Sequence, residues 1–328
     1  MDSPLPDADD FTAYDTVRLN ADGMLLDGDR PVAPAQVARH LGGLIRLPDR
    51  VTDIFVFAHG WQTTPERAAT SSRRLFSAVW ELYREAPDRY PPLTPFRPFF
   101  VSVQWPSQSN PLPDGYRRIR DRAHAMTTTG HAAHVIAALL GYLDHERRRP
   151  EGADVLRTAG GQYLHCVGHS FGCRMLGEAI KEAAAPPEHG TLAWPWQSRF
   201  PFAVDTFVGL QMAAPPSIFK DRFRPLVDGS APIAGPAVLT FSPHDRALAL
   251  WHKLPEGTPG LGAIGAAGAR VTDLRPLGEP YRLADFSKVT SVDAAWRFQD
   301  GGLVQGAHSD IWYPETVHLL LSLAALGR

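Results

Sequence analysis

Lysine, cysteine and long apolar runs are all scarce in this chain of 328 residues. No stretch approaches the ~20 consecutive apolar residues that a membrane span needs, so no membrane span is expected. The N-terminal segment is acidic and lacks an apolar run, unlike a secretory signal, and we expect a cytoplasmic protein. The net charge is only −2 and the arginines are scattered, so no nucleic acid is indicated as a partner.

The two cysteines, Cys166 and Cys173, lie in apolar surroundings on either side of one predicted strand-to-helix turn. Buried free thiols are therefore expected rather than a disulfide. His131 and His134 lie three residues apart on a predicted helix, but no further ligand follows at a spacing that suits a metal. The sequence therefore predicts no metal site.

Short, continuous apolar runs rich in β-branched and aromatic residues alternate with helical patterns along the chain. Continuous runs are typical of strands buried on both faces, and this alternation predicts an α/β fold with a mostly parallel sheet. The predicted strands are 54–58, 99–103, 163–167, 204–210 and 237–241, and the predicted helices are one that begins at Pro65 and those at 129–148, 171–184 and 314–326.

The remaining segments are predicted to be turns and insertions within one domain over residues 1–328. Residues 15–27 are typical of a hairpin that turns at 20–23, and we expect this hairpin to start the sheet in antiparallel fashion. Three stretches are irregular by sequence, and long loops of this kind usually form lids or walls of a site. These predicted insertions are residues 106–128, 186–201 and 254–278.

The strongest motif is Gly168-His169-Ser170-Phe171-Gly172, which matches G-x-S-x-G between a predicted strand and a predicted helix. In such a tight turn the serine hydroxyl projects from the backbone, and side chains two residues away on either side would collide with neighbouring backbone. The helix that follows directs its positive end at the serine. We therefore predict Ser170 as a nucleophile and His169 as a substrate contact.

A serine nucleophile needs an acid and a base, expected later in the chain in the order Asp/Glu, then His. Asp245 directly follows a predicted strand and is the predicted acid. Asp228 and Asp273 are poorer candidates because neither follows a convincing central strand. His308 lies in a glycine-flanked loop before the last helix and is the predicted base, whereas His318 falls inside that helix.

An oxyanion hole needs two backbone N–H groups. The first is expected from Phe171, and the second from Trp61 in the loop after strand 54–58. His59 comes too early in the chain for the base and is expected to hold this loop. Trp105, directly after a strand, is a predicted substrate contact. Other tryptophans at expected strand ends are further candidates for the pocket or for packing under loops: Trp61, Trp194, Trp196 and Trp251.

Together the segments HGW, GHSFG, SPHDRAL and GAHSDIW resemble the α/β-hydrolase superfamily. More narrowly, they are similar to a group of uncharacterised bacterial serine hydrolases of esterase/lipase type. The resemblance covers roughly residues 50–325. It implies a central eight-stranded sheet, a triad of Ser170, Asp245 and His308, and no cofactor. Only one glycine follows His59, unlike the lipases with HGGG, which argues against large tertiary-alcohol esters as substrates.

These residues predict a serine hydrolase that cleaves an ester-like bond of a small-molecule acyl substrate. An acyltransferase or a thioesterase on the same triad is the first alternative. A non-catalytic binding protein with this fold is the second, and the presence of all three triad residues argues against it. The sequence does not name the substrate, because one fold supports many activities.

Overall fold

The computed structural model describes residues 14–48, 51–109, 113–146, 163–182, 204–302 and 305–328. Within these ranges the strands are β1 (Tyr14–Arg18), β2 (Leu26–Asp27), β3 (Arg30–Pro31), β4 (Asp53–Ala58), β5 (Pro98–Gln104), β6 (Tyr163–His169), β7 (Thr206–Leu210), β8 (Ala237–Phe241), β9 (Arg270–Asp273) and β10 (Val289–Asp293). The helices are α1 (Val37–Leu44), α2 (Pro65–Glu85), α3 (Pro113–Thr128), α4 (Ala132–Glu146), α5 (Phe171–Glu182), α6 (Lys253–Glu256), α7 (Leu261–Ile264) and α8 (Pro314–Leu326).

Eight of the strands form one sheet in the order β1-β5-β4-β6-β7-β8-β10-β9. Every neighbouring pair in this sheet is parallel. The predicted α/β fold with a mostly parallel, helix-flanked sheet is confirmed at this level. Because the strands are parallel, the loops that follow them meet at one edge, where ligands bind in open α/β sheets.

Strand β4 shows why the apolar runs are continuous. All six of its residues are buried. Ile54 and Val56 join the apolar cluster that contains α1, α3, α4 and α5, whereas Phe55 and Phe57 join the cluster that contains α2 and α8. Successive side chains of a strand point to opposite faces, so a strand covered on both faces must be apolar at every position.

Helix α2 begins as its sequence predicts. The Thr64 side chain accepts a hydrogen bond from the N–H of Arg67 at 3.3 Å, and Pro65 occupies the first turn. Proline fits there because the first N–H groups of a helix have no partner within the helix. The apolar face of this helix, including Leu75 and Phe76, packs on the sheet beside α8.

The predicted antiparallel start of the sheet is wrong. Strand β1 joins the sheet edge parallel to β5, with Tyr14 opposite Phe100. The predicted turn does form, since the N–H of Gly23 donates to the carbonyl of Asn20 and an antiparallel bridge joins Leu19 to Leu25. Turn residues determine this local reversal, but they carry no information about a strand partner some eighty residues away.

The segment 106–128, predicted to be irregular, contains the long helix α3. This helix is hard to recognise in the sequence, because its apolar stripe is only one residue wide and arginines lie on both sides of it. The buried apolar side chains follow one another at spacings of three, four and three residues, which is the period of an α-helix. They are Tyr116, Ile119, Ala123 and Met126.

The segment 254–278 is also more ordered than its sequence predicts, since it contains α7 and the edge strand β9. The N–H of Leu261 donates to the carbonyl of Ala214, and the N–H of Gly262 donates to that of Met212. These bonds hold α7 against the chain that follows β7. The third predicted insertion, 186–201, lies outside the described residues.

Cys166 and Cys173 are both buried and form no disulfide, as predicted. Burial raises the pKa of the Cys173 thiol, which keeps it protonated. Among the described residues, no helix combines the length and apolar character that crossing a bilayer requires. The same residues contain no group of three or more histidine, cysteine or acidic side chains placed to hold a metal ion.

The contact between α5 and the end of β4 leaves no room for a side chain at Gly172. A Cβ there would lie 2.1 Å from the carbonyl oxygen of Ala58. We expect Gly172→Ala to lower the free energy of unfolding by about 3 kcal/mol, because backbone atoms on both sides must move apart. Urea unfolding followed by circular dichroism measures this.

Gly43 is the matched control, because a Cβ on this exposed residue of α1 would meet nothing within 4 Å. Gly43→Ala should leave the stability unchanged or raise it by up to about 1 kcal/mol, since alanine favours the helix. Equal stabilities of the two variants would contradict the close contact at Gly172.

Candidate active site

Ser170 lies in the tight turn between β6 and α5, as the motif predicts. Its backbone has a φ of 55°, a left-handed conformation that is rare outside glycine. The N–H of Ser170 donates to the carbonyl of Leu210 at 3.0 Å, and its carbonyl accepts from the N–H of Ala213 at 3.3 Å. These bonds to the neighbouring strand hold the strained turn in place.

Gly168 is required for the same turn, because a Cβ there would lie 2.5 Å from the backbone N and Cα of Cys173. Together with the contact at Gly172, this accounts for both glycines of the motif. The turn therefore has room for a side chain at Ser170 but not two residues before or after it.

The structure brings Ser170, Asp245 and His308 together. Nε2 of His308 lies 2.8 Å from Oγ of Ser170, and Nδ1 of the same ring lies 2.7 Å from Oδ2 of Asp245. With the proton on Nδ1, the ring donates to the carboxylate and Nε2 accepts from the serine hydroxyl. The other carboxylate oxygen of Asp245 accepts from the N–H of Leu248 at 2.9 Å.

Backbone hydrogen bonds join the loops that carry the acid and the base. The N–H of Ala307 donates to the carbonyl of His244 at 2.9 Å, and the N–H of Ala247 donates to that of Gln305 at 3.1 Å. Gly306 has a φ of 57°, and a Cβ there would lie 2.3 Å from the His244 oxygen. The close approach of these two loops sets the distance between acid and base.

The triad is closed off from solvent. Ser170 and Asp245 have no accessible surface, and His308 is 2% exposed. A buried hydrogen bond to a carboxylate is stronger than the same bond in water, because the surrounding dielectric is low. A substrate reaches Oγ of Ser170 only if side chains around it move.

The loop after β4 passes directly against the serine, as an oxyanion loop requires. A Cβ on Gly60 would lie 2.9 Å from Cβ of Ser170 and 2.6 Å from Nδ1 of His169. Among the described residues, the N–H groups of Trp61 and Phe171 donate to no protein acceptor. Both predicted donors are thus available on the two backbone segments that meet at Ser170.

His59 holds this loop, in keeping with its predicted structural role. Its Nδ1 donates to the carbonyl of Gly60 at 2.9 Å, and its Nε2 accepts from the N–H of Trp105 at 3.2 Å. The Trp105 indole stacks on the imidazole and donates to the His59 carbonyl at 2.8 Å. Trp105 is therefore buried beneath the loop, and its contact with a substrate stays a prediction.

His169 is a second buried histidine beside the serine. Its Nε2 donates to the carbonyl of His308 at 2.8 Å, and the two rings lie 5.2 Å apart. This bond ties the turn of the predicted nucleophile to the loop of the predicted base. The geometry makes His169 a positioning residue, and its predicted contact with substrate remains a prediction.

Three polar or aromatic residues near Ser170 were not predicted from the sequence as part of the site. Tyr116, on α3, packs against Phe171. Gln211, directly after β7, is fully buried with a φ of 46°, and neither of its amide atoms has a partner within the described residues. The amide nitrogen of Gln62 is also buried without one. No local motif marks such residues, because their position depends on long-range packing.

Trp61 and Trp251 lie beside Tyr116, whereas Trp194 and Trp196 lie outside the described residues. Trp251 ends a π-helical turn, Ala247–Trp251, that follows Asp245. Among the alternative acids, Asp228 binds the backbone and hydroxyl of Ser230, and Asp273 ends the edge strand β9. Neither pairs with a histidine in the described part of the structure.

Comparison with family models, with curated proteins and with solved structures found no match for this chain. The geometry around Ser170 is therefore the main evidence on function.

Burial keeps the two structural histidines neutral. Loss of hydration lowers the pKa of His169 to about 3 and that of His59 to about 4, from an ordinary value near 6.5. For His169, the neighbouring His308 lowers the pKa further. Between pH 6.5 and pH 4 the unfolded chain therefore binds more protons than the folded one, so the folded state loses stability as the pH falls through this window.

We expect His169→Gln to make the free energy of unfolding less dependent on pH. Glutamine keeps an N–H donor for the His308 carbonyl but has no proton to bind. Each buried histidine contributes a slope of up to about 1.4 kcal/mol per pH unit between pH 6.5 and pH 4. Urea unfolding of wild type and variant at pH 7, 6 and 5 measures the two slopes. Parallel slopes would mean that His169 takes up its proton as readily in the folded protein as in the unfolded one, so that its pKa is not lowered.

Proposed function

We propose that this chain is a serine hydrolase with the α/β-hydrolase fold, and that it cleaves an ester-like bond of a small-molecule acyl substrate. Ser170 is the nucleophile, His308 the general base and Asp245 the group that orients the base. The backbone N–H groups of Phe171 and Trp61 form the oxyanion hole.

One observation carries the proposal. The imidazole of His308 bridges Ser170 and Asp245 through hydrogen bonds of 2.8 Å and 2.7 Å. A serine hydroxyl is a weak nucleophile until an adjacent base takes its proton, and the base needs a third group to fix its tautomer. All three groups are buried at the edge of the sheet where strands β6 and β8 end.

In the first half of the reaction, Oγ of Ser170 bonds to the acyl carbon while its proton passes to Nε2 of His308. The carbonyl electron pair moves onto the oxygen, where the N–H groups of Phe171 and Trp61 stabilise the negative charge. When the tetrahedral intermediate collapses, the bond to the leaving oxygen breaks, and that oxygen takes the proton from Nε2. An acyl-enzyme at Ser170 remains.

In the second half, water replaces the alcohol. His308 takes a proton from the water while the water oxygen bonds to the acyl carbon. It returns that proton to Oγ of Ser170 when the carboxylic acid product leaves. Asp245 stays ionised throughout and stabilises the imidazolium. Helix α5 begins directly after Ser170, so its positive N-terminal end adds favourable electrostatics for the oxyanion.

The proposal is tested with a small fluorophosphonate probe followed by peptide mass mapping. We expect wild type to be labelled at Ser170, and Ser170→Ala and His308→Ala to remain unlabelled, because the phosphorus needs a deprotonated nucleophile. Asp245→Asn should lower kcat for a 4-nitrophenyl ester by about 10⁴-fold, because the asparagine favours the wrong tautomer of the base.

Ser309→Ala and Asp273→Asn are the matched controls. Ser309 is exposed next to the base, and Asp273 lies on the edge strand, so neither change should affect labelling or kcat. A folded wild-type protein that the probe does not modify at Ser170 would overturn the proposed function.

A further inference from the structure

Four aromatic rings form a buried cluster beside Ser170. Trp61 contacts Tyr116 edge to face at 5.5 Å and Trp251 at 5.4 Å between ring centroids. Tyr116 also contacts Phe171, whose ring lies 5.4 Å away. These rings come from the oxyanion loop, α3, the turn after Asp245 and the start of α5, so the cluster joins four separate parts of the chain at one point.

Two polar atoms within this aromatic cluster have no partner. The hydroxyl of Tyr116 and the indole N–H of Trp61 are buried and make no hydrogen bond within the described residues. Tyr116 is fully buried and Trp61 is 7% exposed. Buried polar groups in folded proteins almost always have partners. Within the described residues neither of these two donors has one, so both are available to an acceptor on a ligand.

The cluster lies next to the proposed nucleophile and acid. Phe171 directly follows Ser170, and the Trp61 backbone belongs to the loop that touches the serine. Burial raises the pKa of Tyr116, and the charge of Asp245 raises it further. Tyr116 therefore stays protonated and acts as a donor.

We propose that these four rings form the substrate subsite beside Ser170, and that the Tyr116 hydroxyl and the Trp61 indole N–H donate to a substrate oxygen other than the scissile carbonyl. This inference rests on the proposed hydrolase function and narrows its substrate class. The rings suit a flat, apolar group by stacking and edge contacts. The donors require an ether, carbonyl or hydroxyl oxygen on that group, so the substrate is an aromatic or similarly flat ester that carries a further acceptor.

Two pairs of esters that differ by one atom test this subsite. In the acyl half, 4-nitrophenyl 3-phenoxypropanoate is compared with 4-nitrophenyl 4-phenylbutanoate. In the alcohol half, 2-phenoxyethyl acetate is compared with 3-phenylpropyl acetate. In each pair an ether oxygen replaces one methylene, and each kcat/KM is divided by the rate of hydrolysis by hydroxide. We expect wild type to favour the ether member of at least one pair by about tenfold, because buried donors left unpaired penalise the hydrocarbon member.

Tyr116→Phe and Trp61→Phe each remove one donor and keep an aromatic ring. Each change should lower the ratio of kcat/KM for the ether ester to kcat/KM for the hydrocarbon ester by about threefold or more, towards a value of one. Tyr83→Phe and Trp80→Phe on α2 are matched controls, since they remove a hydroxyl and an indole N–H on the opposite face of the sheet. Both controls should retain the wild-type ratio.

The outcomes distinguish this inference from the function on which it rests. Wild type labelled at Ser170 by the fluorophosphonate, but with no preference in either pair, would overturn the subsite and leave the hydrolase function intact. A preference for the ether ester that is as large in Tyr116→Phe and in Trp61→Phe as in wild type would also overturn the subsite and leave the hydrolase function intact. Absence of labelling at Ser170 would overturn the function first and the subsite with it.

Discussion

Ser170 has a left-handed backbone at the point where the chain passes from β6 into α5 and where the start of α5 packs closely against the end of β4. Such a conformation costs on the order of 1–3 kcal/mol for a residue with a side chain, so the surroundings must hold it. The bond to Leu210 and the absence of a Cβ at Gly168 and Gly172 do so. The same turn projects the serine hydroxyl, exposes the N–H of Phe171 and brings the loop after β4 into contact, so the rest of the site depends on it.

Around this turn, the site is a buried polar network in which His59 and His308 have both ring nitrogens paired. His59 donates to one carbonyl and accepts from one N–H, and His308 bridges a carboxylate and a hydroxyl. A neutral imidazole with both nitrogens paired can be buried at little cost, whereas an unpaired donor cannot. The contrast with the donors of Trp61 and Tyr116, which have no partner among the described residues, is the basis for the proposed ligand site at the aromatic cluster.

Local features of the sequence predicted much of the fold. The apolar runs located five of the central strands to within two residues, and Thr64 with Pro65 located the start of α2. Helix α3 was not predicted because its apolar stripe is narrow. The pairing of β1 with β5 was not predicted because residues near β1 in sequence give no information about a strand far along the chain. Tyr116 shows the difference most clearly, since this residue of an arginine-rich run is fully buried against Phe171, next to the proposed nucleophile.

By itself, the sequence determined the turn at Ser170, five central strands, four of the helices, and the candidates for acid and base. Each of these depends on residues within a few positions of one another, where backbone geometry and hydrophobic period act directly. Only the tertiary structure decided that His308 meets Ser170 across 138 residues and Asp245 across 63. It also decided which aromatic residues surround the serine, because packing between distant segments depends on the whole sheet and not on any one segment of the chain.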